Sequence, residues 1–288
     1  MTRIILSYFL FFILLTGCTL NNKTGSEKPV VTVSILPQEY FVKQIAGDRV
    51  DVSVMIPPGA NPATYEPTPR QLQDLTKTSV YLEIGNSAFE SAWMDKFRSI
   101  NPTMKITDLS RNVPLIYEEH QHNGEHQSVN PHIWLSPRNG KIIAQNVAAD
   151  LNLILPADSA FFRKNLEQLL LKIDTLEQTM HSELDTLTHR AFLIYHPALT
   201  YLAKDFGLEQ YALETEGKEP SPAHMKYLTD LAREKGISVI FLQMQFDQHN
   251  AEILSHETGA EIVQINPLDP DWYRQMLFIA STLKEKLQ

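Results

Sequence analysis

The sequence comprises 288 residues with a formal net charge of −9 and a single cysteine. This length suits two domains of ordinary size better than one large core. The acidic balance and the lack of a basic stripe argue against a nucleic-acid-binding protein, because binding phosphates requires clustered Lys and Arg side chains. A lone cysteine also leaves no disulfide partner within the chain.

The first residues predict export from the cytoplasm. Arg3 precedes an apolar run over residues 4–15, which is too short to span a bilayer and is typical of a secretory signal. The run leads into Leu-Thr-Gly-Cys, and small residues before a lone cysteine resemble the bacterial lipobox. We therefore expect a signal peptide at 1–17, a lipid on Cys18, a polar tether over 18–29 and a location in the periplasm or on the cell surface. The alternative is an ordinary signal peptide with an incidental cysteine.

Six segments rich in β-branched residues predict buried strands, and all but the second lead quickly into an amphipathic stretch. This alternation predicts an α/β fold of parallel sheets with helices on both faces. The predicted strands are Val30–Ile35, Val52–Ile56, Val80–Glu83, Ala191–Tyr195, Ile237–Leu242 and Glu261–Ile265.

Cap residues mark the ends of several predicted helices. A capping side chain followed by proline predicts a helix start. Glycine placed after a periodic stretch predicts a helix end. The starts are Thr68-Pro69, Ser136-Pro137 and Ser221-Pro222, and the ends are Gly47, Gly207, Gly236 and Gly259.

One segment breaks this rhythm, because residues 158–187 contain no Gly or Pro and carry apolar residues at steps of three or four. The spacing predicts one helix of ~30 residues, about 45 Å long. We interpret it as a rigid connection between an N-terminal lobe at 30–157 and a C-terminal lobe at 188–288. The alternative is a long helix packed along a single domain.

The ten histidines are unevenly distributed. His132 lies in the segment NPHIWLSP, and His196 follows the strand predicted to end at Tyr195. Asn266 follows the last predicted strand, and the carboxyl ends of parallel strands are where α/β folds build their sites. Three more histidines lie in the polar segment EEHQHNGEHQ, namely His120, His122 and His126. We expect solvated or capping roles for His181, His189, His224, His249 and His256.

Four ordered segments carry a family resemblance over essentially the whole mature chain: PPGANPATYEPTP, NPHIWLSPRNG, YHPALTYLAKDFGL and EGKEPSP. They resemble the corresponding segments of the cluster A-I zinc or manganese solute-binding lipoproteins of bacterial ABC importers. The resemblance implies two α/β lobes joined by a long helix, with one metal in the cleft between them. It also implies an ABC permease as partner, membrane attachment through the lipid, and a monomer that is not an enzyme.

The same resemblance implies that His132 and His196 are metal ligands, and neutral imidazole is a good ligand for Zn²⁺. Histidine at position 196 resembles the zinc branch, so we expect Zn²⁺ rather than Mn²⁺, which prefers carboxylates. Relatives have a histidine where this chain has Ala63, and often a carboxylate where it has Asn266. The sequence therefore departs from the expected ligand set at two positions.

Three explanations for the missing ligand stay open at this point. A loop histidine, Glu66, the amide oxygen of Asn266 or water completes the shell; the protein binds metal weakly or receives it from another carrier; or the site has drifted to another ligand or a scaffold role. A surface adhesin is a further alternative. A hydrolytic metal site lacks support, because the chain has no HExxH, no G-x-S-x-G and no glycine-rich phosphate loop.

Overall fold

The computed structural model describes residues 28–118, 128–215 and 217–288. The predicted signal peptide and the predicted lipid anchor at Cys18 lie outside the described residues. Within the described part of the chain, no helix is long and apolar enough to cross a membrane.

The described strands form two parallel four-stranded sheets and one small antiparallel pair. The first sheet has the order β2-β1-β3-β4, the second has the order β10-β9-β7-β8, and β5 pairs with β6. The strands are β1 (Val30–Val33), β2 (Asp51–Val54), β3 (Thr78–Glu83), β4 (Lys105–Asp108), β5 (Tyr117–Glu118), β6 (Ser128–Val129), β7 (Ala191–Ile194), β8 (Glu209–Ala212), β9 (Val239–Gln243) and β10 (Glu261–Ile265).

Helices flank both sheets, so each sheet with its helices forms one lobe. The helices are α1 (Leu36–Ala46), α2 (Pro69–Asp74), α3 (Ala88–Ile100), α4 (Pro137–Ile154), α5 (Ser159–Leu184), α6 (Thr200–Phe206), α7 (Pro222–Lys235), α8 (His249–Thr258) and α9 (Trp272–Leu287). The predicted α/β class with two lobes is confirmed.

All six predicted strands form, with ends shifted by a residue or two. The sequence analysis missed β4 and β8, each of which is one of the two edge strands of its sheet. Their sequences, KITD and EQYA, contain at most one apolar β-branched residue, whereas the edge strands that were predicted, β2 (DVSV) and β10 (EIVQI), contain two or more. The predicted helix starts and glycine ends all form: Thr68, Ser136 and Ser221 accept from the backbone as N-caps, and Gly47, Gly207, Gly236 and Gly259 follow helix ends.

The predicted long helix is α5, which has 26 residues and follows a short 3-10 turn at Pro156–Asp158. It ends earlier than predicted, at Leu184, although Leu187 beyond it is still buried. Its apolar stripe is fully covered by α1, α4 and α9, which pack along it. The helix therefore connects the lobes and also forms part of one continuous core.

Two tryptophans join the end of the second lobe to the first. The Nε1 of Trp272 donates to the carbonyl of Trp134 at 2.6 Å, and the Nε1 of Trp134 donates to the carbonyl of Pro267 at 2.8 Å. Gly140 lets the Trp272 ring approach α4, because a Cβ there would stand 2.9 Å from the ring. Both indoles are buried, so this contact fixes the segment that contains His132 against the second lobe.

A buried carboxylate ties together two strand ends of the first sheet. Glu90, in the first turn of α3, accepts from the backbone of Ile84 at 2.7 Å and of Gly85 at 2.9 Å, just after β3. It also accepts from the hydroxyl of Ser34, just after β1. Burial raises the pKa of Glu90 to about 7, although these three donors oppose the shift. The ionised form of this carboxylate is therefore electrostatically unfavourable in the folded protein.

We predict that the two sides of α5 respond differently to truncation. Leu176 is fully buried on the apolar stripe, whereas Leu171 is 67% exposed on the same helix. Leu176→Ala should lower the free energy of unfolding by about 2–5 kcal/mol. Leu171→Ala should change it by no more than about 0.5 kcal/mol. Urea unfolding of both variants checks this, and equal effects would mean that the packed face is wrongly assigned.

A second prediction concerns pH. The folded protein keeps a proton on Glu90 that the unfolded chain releases between pH 4.5 and about 7. Stability should therefore fall as the pH rises through this window, by about 3 kcal/mol from this group. Glu90→Gln should flatten the profile, because no charge is then buried.

The control for this prediction is Glu167→Gln, at an exposed position of α5, which should keep the slope of the parent protein. Urea unfolding at several pH values compares the three proteins. A Glu90→Gln protein with the full slope would show that another group causes the pH dependence.

Candidate metal centre

The first candidate ligand, His132, is oriented by a buried amide. The Oδ1 of Asn130 accepts from the backbone N of His132 at 3.0 Å and contacts its ring Nδ1 at 3.0 Å. The Nδ2 of Asn130 points the other way, toward Thr200 at 3.2 Å and the carbonyl of Pro197 at 3.4 Å. Asn130 therefore fixes the His132 ring and links its loop to the start of α6 in the second lobe.

The second candidate ligand, His196, follows the carboxyl end of β7. The side-chain amide of Gln243, at the end of β9, makes two hydrogen bonds with the backbone of His196. Its Oε1 accepts from the His196 N–H at 3.2 Å, and its Nε2 donates to the His196 carbonyl at 2.6 Å. The ring stacks on Phe246, with centroids 5.4 Å apart and planes 18° apart. Its Nδ1 lies 3.0 Å from the carboxylate of Glu214, whose side chain is only 8% exposed.

These contacts determine the tautomers of both rings. Asn130 Oδ1 and Glu214 Oε2 are acceptors, so each ring in its neutral form is expected to carry its proton on Nδ1. Each Nε2 would then present a lone pair, and the two Nε2 atoms face each other at 3.3 Å. A metal cation or a proton between two such lone pairs would remove their repulsion.

The separation of the two nitrogens fits one shared metal ion. Two nitrogens bound to a tetrahedral Zn²⁺ at about 2.0–2.1 Å stand about 3.3–3.4 Å apart. The observed Nε2 to Nε2 distance of 3.3 Å matches this value. Burial, and then the neighbouring His196, lower the pKa of His132, which favours the neutral form that a ligand must have.

A cavity of about 320 Å³ opens beside the two rings. Both lobes line it, and its wall includes Ala63 together with His132, His196 and Glu214. The backbone N–H of Ala63 donates to Asn61 Oδ1 at 2.9 Å, which closes a tight turn in this loop. Ala63, the position where the family resemblance implied a histidine, thus lies on the cavity that the two imidazoles share.

Neither Glu66 nor Asn266 lines this cavity. Glu66 is exposed and lies away from the cavity wall. The Oδ1 of Asn266 accepts from the backbone of Leu268 at 3.2 Å, so this amide stabilises a turn, and only its neighbours Pro267 and Leu268 line the cavity. The predicted loop histidines, His120, His122 and His126, lie outside the described residues.

The sequence analysis missed three residues that position the rings, namely Asn130, Glu214 and Gln243. Glu214 lies just past β8, a strand that was not predicted, so its place at a strand end was not recognised. Asn130 stands in the same short segment as His132 and was the easiest to find. In the described part of the chain, no group of three or more His, Cys, Asp or Glu side chains is placed to hold a metal.

Comparison with known proteins agrees with this geometry. A family model described as zinc-uptake complex component A, periplasmic, matches residues 31–285. The chain belongs to this family. The family comprises solute-binding proteins of metal uptake and not enzymes, so the expectation that the chain is not an enzyme is confirmed.

Individual relatives of this zinc-uptake family are similar over most of the chain. The zinc-binding lipoprotein AdcA of Streptococcus pneumoniae is 26% identical over 88% of this chain, which spans only 53% of AdcA. The manganese ABC transporter substrate-binding lipoprotein PsaA of Streptococcus mitis is 28% identical, with 88% of this chain and 85% of that protein covered. A crystal structure of ZnuA has a TM-score of 0.86 at 34% identity, covering 91% of this chain and all of that chain. The chain thus spans about half the length of the AdcA relatives.

Proposed function

We propose that this protein is the extracytoplasmic solute-binding component of an ABC importer, which captures a divalent transition metal between its lobes and delivers it to a membrane permease. One observation carries the proposal. His132 and His196 come from different lobes, both of their Nδ1 atoms face acceptors, and their Nε2 lone pairs converge at 3.3 Å. Such a pair is oriented to bind a metal cation.

Zinc is the proposed cargo. Imidazole nitrogen suits Zn²⁺, whereas Mn²⁺ favours carboxylate oxygens. The carboxylate on the cavity wall, Glu214, faces the Nδ1 of His196 rather than the convergence point of the two Nε2 atoms. Zinc is also named in the family description and for AdcA, whereas PsaA is named for manganese. Manganese is the second candidate on that account.

The proposed arrangement of the chain is an N-terminal lobe at 30–157, the connecting helix within 158–187 and a C-terminal lobe at 188–288. We propose that Cys18 carries a lipid that holds the protein outside the cytoplasmic membrane as a monomer. The lipobox-like sequence supports this anchor, and so do relatives named as lipoproteins.

The proposal is tested by titrating the purified protein with Zn²⁺ in a calorimeter. The parent should bind one ion, and His132→Ala or His196→Ala should weaken binding by about a hundredfold or more, equivalent to about 2.8 kcal/mol. The matched control is His256→Ala, at an exposed position of α8, which should bind like the parent. Equal affinity in all four proteins would place the metal elsewhere, and no binding by the parent would favour a scaffold role.

We further predict that Glu214 positions His196 for the metal. Glu214→Gln keeps the size of the side chain but weakens the acceptor that holds the Nδ1 proton, so Zn²⁺ affinity should fall about tenfold or more. Glu219→Gln is the control, because Glu219 contacts Tyr195 and Asn250 instead of a histidine. Competition against a zinc indicator measures the Zn²⁺ affinity of both variants. An equal loss of affinity in the two would mean that Glu214 acts only through its negative charge and not through its contact with His196.

A further inference from the structure

The described residues offer fewer donors than a zinc ion needs. Zn²⁺ takes four ligands in most protein sites. His132 and His196 supply two of them, and Ala63 on the cavity wall has no donor atom in its side chain. No third His, Cys, Asp or Glu side chain in the described ranges joins the pair. A zinc ion bound by this pair would therefore have two positions left for ligands from outside the described residues.

The cavity is larger than those two positions require. Its volume of about 320 Å³ lies at the lower end of the range of small-molecule pockets, roughly 300–1,000 Å³. A water molecule occupies about 30 Å³ in the liquid, so two waters on the metal would fill only a small part of the space. The volume suits a molecule with several non-hydrogen atoms.

The character of the wall indicates what kind of molecule fits. Most of the lining is apolar, and it includes Ile35, Ile56, Ile84, Trp134, Phe246 and Leu268. Such a surface favours an apolar side chain over a shell of water. Gln245 also lines the cavity, and its side-chain amide has no hydrogen-bond partner in the described ranges, so it is available to a polar group of the ligand.

The charge of the cavity wall indicates which charge the ligand should carry. Among the described residues, the cavity wall contains one carboxylate, Glu214, and no Lys or Arg. A zinc ion next to this carboxylate leaves one uncompensated positive charge in a mainly apolar cleft, which is unfavourable. A ligand with a single negative charge brings the total charge of the zinc ion, the Glu214 carboxylate and the ligand to zero.

We propose that the cargo is a complex of one zinc ion with one small, monoanionic chelator of the α-amino-acid type, with an apolar side chain. His132 and His196 bind the metal, the amine nitrogen and carboxylate oxygen of the chelator fill the two remaining positions, and its side chain occupies the cavity. This inference rests on the proposed function, because it needs the two histidines as ligands. In this proposal, donor atoms of the chelator take the place of the ligand side chain that Ala63 lacks.

Equilibrium dialysis of the purified protein with zinc and radiolabelled L-leucine tests the inference. The parent should retain one zinc and one leucine per chain, and leucine should not be retained when zinc is removed. Glycine has the same donor atoms without the side chain, so its retention should be weaker by about tenfold or more. Equal retention of glycine and leucine would overturn the role of the apolar wall.

Two variants separate the possible failures. Ala63→His should add a third imidazole, raise the affinity for zinc alone by about tenfold or more, and lower leucine retention by a similar factor. His132→Ala should lose both zinc and leucine. A parent that retains zinc without leucine would overturn this inference and leave the proposed function intact. A parent that retains neither would overturn the proposed function, and leucine retained without zinc would overturn the chelate.

Discussion

The arrangement of two imidazole rings from opposite lobes is the constraint on which the site depends. Their Nε2 atoms face each other at 3.3 Å only because Asn130 and Glu214 hold the Nδ1 side of each ring. Metal bonds to nitrogen vary by little more than a tenth of an ångström, so the lobes must keep their relation almost as accurately. The long helix and the buried contacts between the lobes are therefore parts of the metal centre, although none of them reaches it.

The contacts between the lobes account for this accuracy. Trp134 lies two residues beyond His132, and its indole donates into the second lobe while its carbonyl accepts from Trp272. The hydroxyl of Ser136, which caps α4, donates to Asp205 on α6. One connected segment thus carries a ligand, two anchoring side chains and a helix start. A helix and a buried interface permit less hinge closure than flexible strands would, which fits the proposal that the two histidines are in place before a metal binds.

The sequence was sufficient to predict features that depend on the short-range periodicity of apolar residues and on helix-capping residues. Central strands, helix starts such as Thr68-Pro69 and the stripe of α5 all follow from patterns within a few residues. Strands β4 and β8 lack such a pattern because KITD has one apolar β-branched residue and EQYA has none, unlike the other two edge strands, β2 and β10. The role of Glu214 was not predicted for the same reason, since Glu214 lies just past the end of β8. Contacts that join distant segments, such as Gln243 with His196, have no signature in a single sequence.

The loop that carries Ala63, where the family resemblance implied a histidine, is held by several hydrogen bonds. Tyr65 donates to Gln71 at 2.7 Å, Gln71 donates to the carbonyl of Met55 at 2.6 Å, and Thr68 still caps α2. These bonds hold Ala63 on the cavity wall whatever side chain it carries. A methyl group in place of an imidazole, in a loop that stays in position, leaves space beside the two histidines instead of collapsing the cavity. In our proposal, the alanine that would weaken binding of a bare ion therefore makes room for a ligand that arrives with the ion.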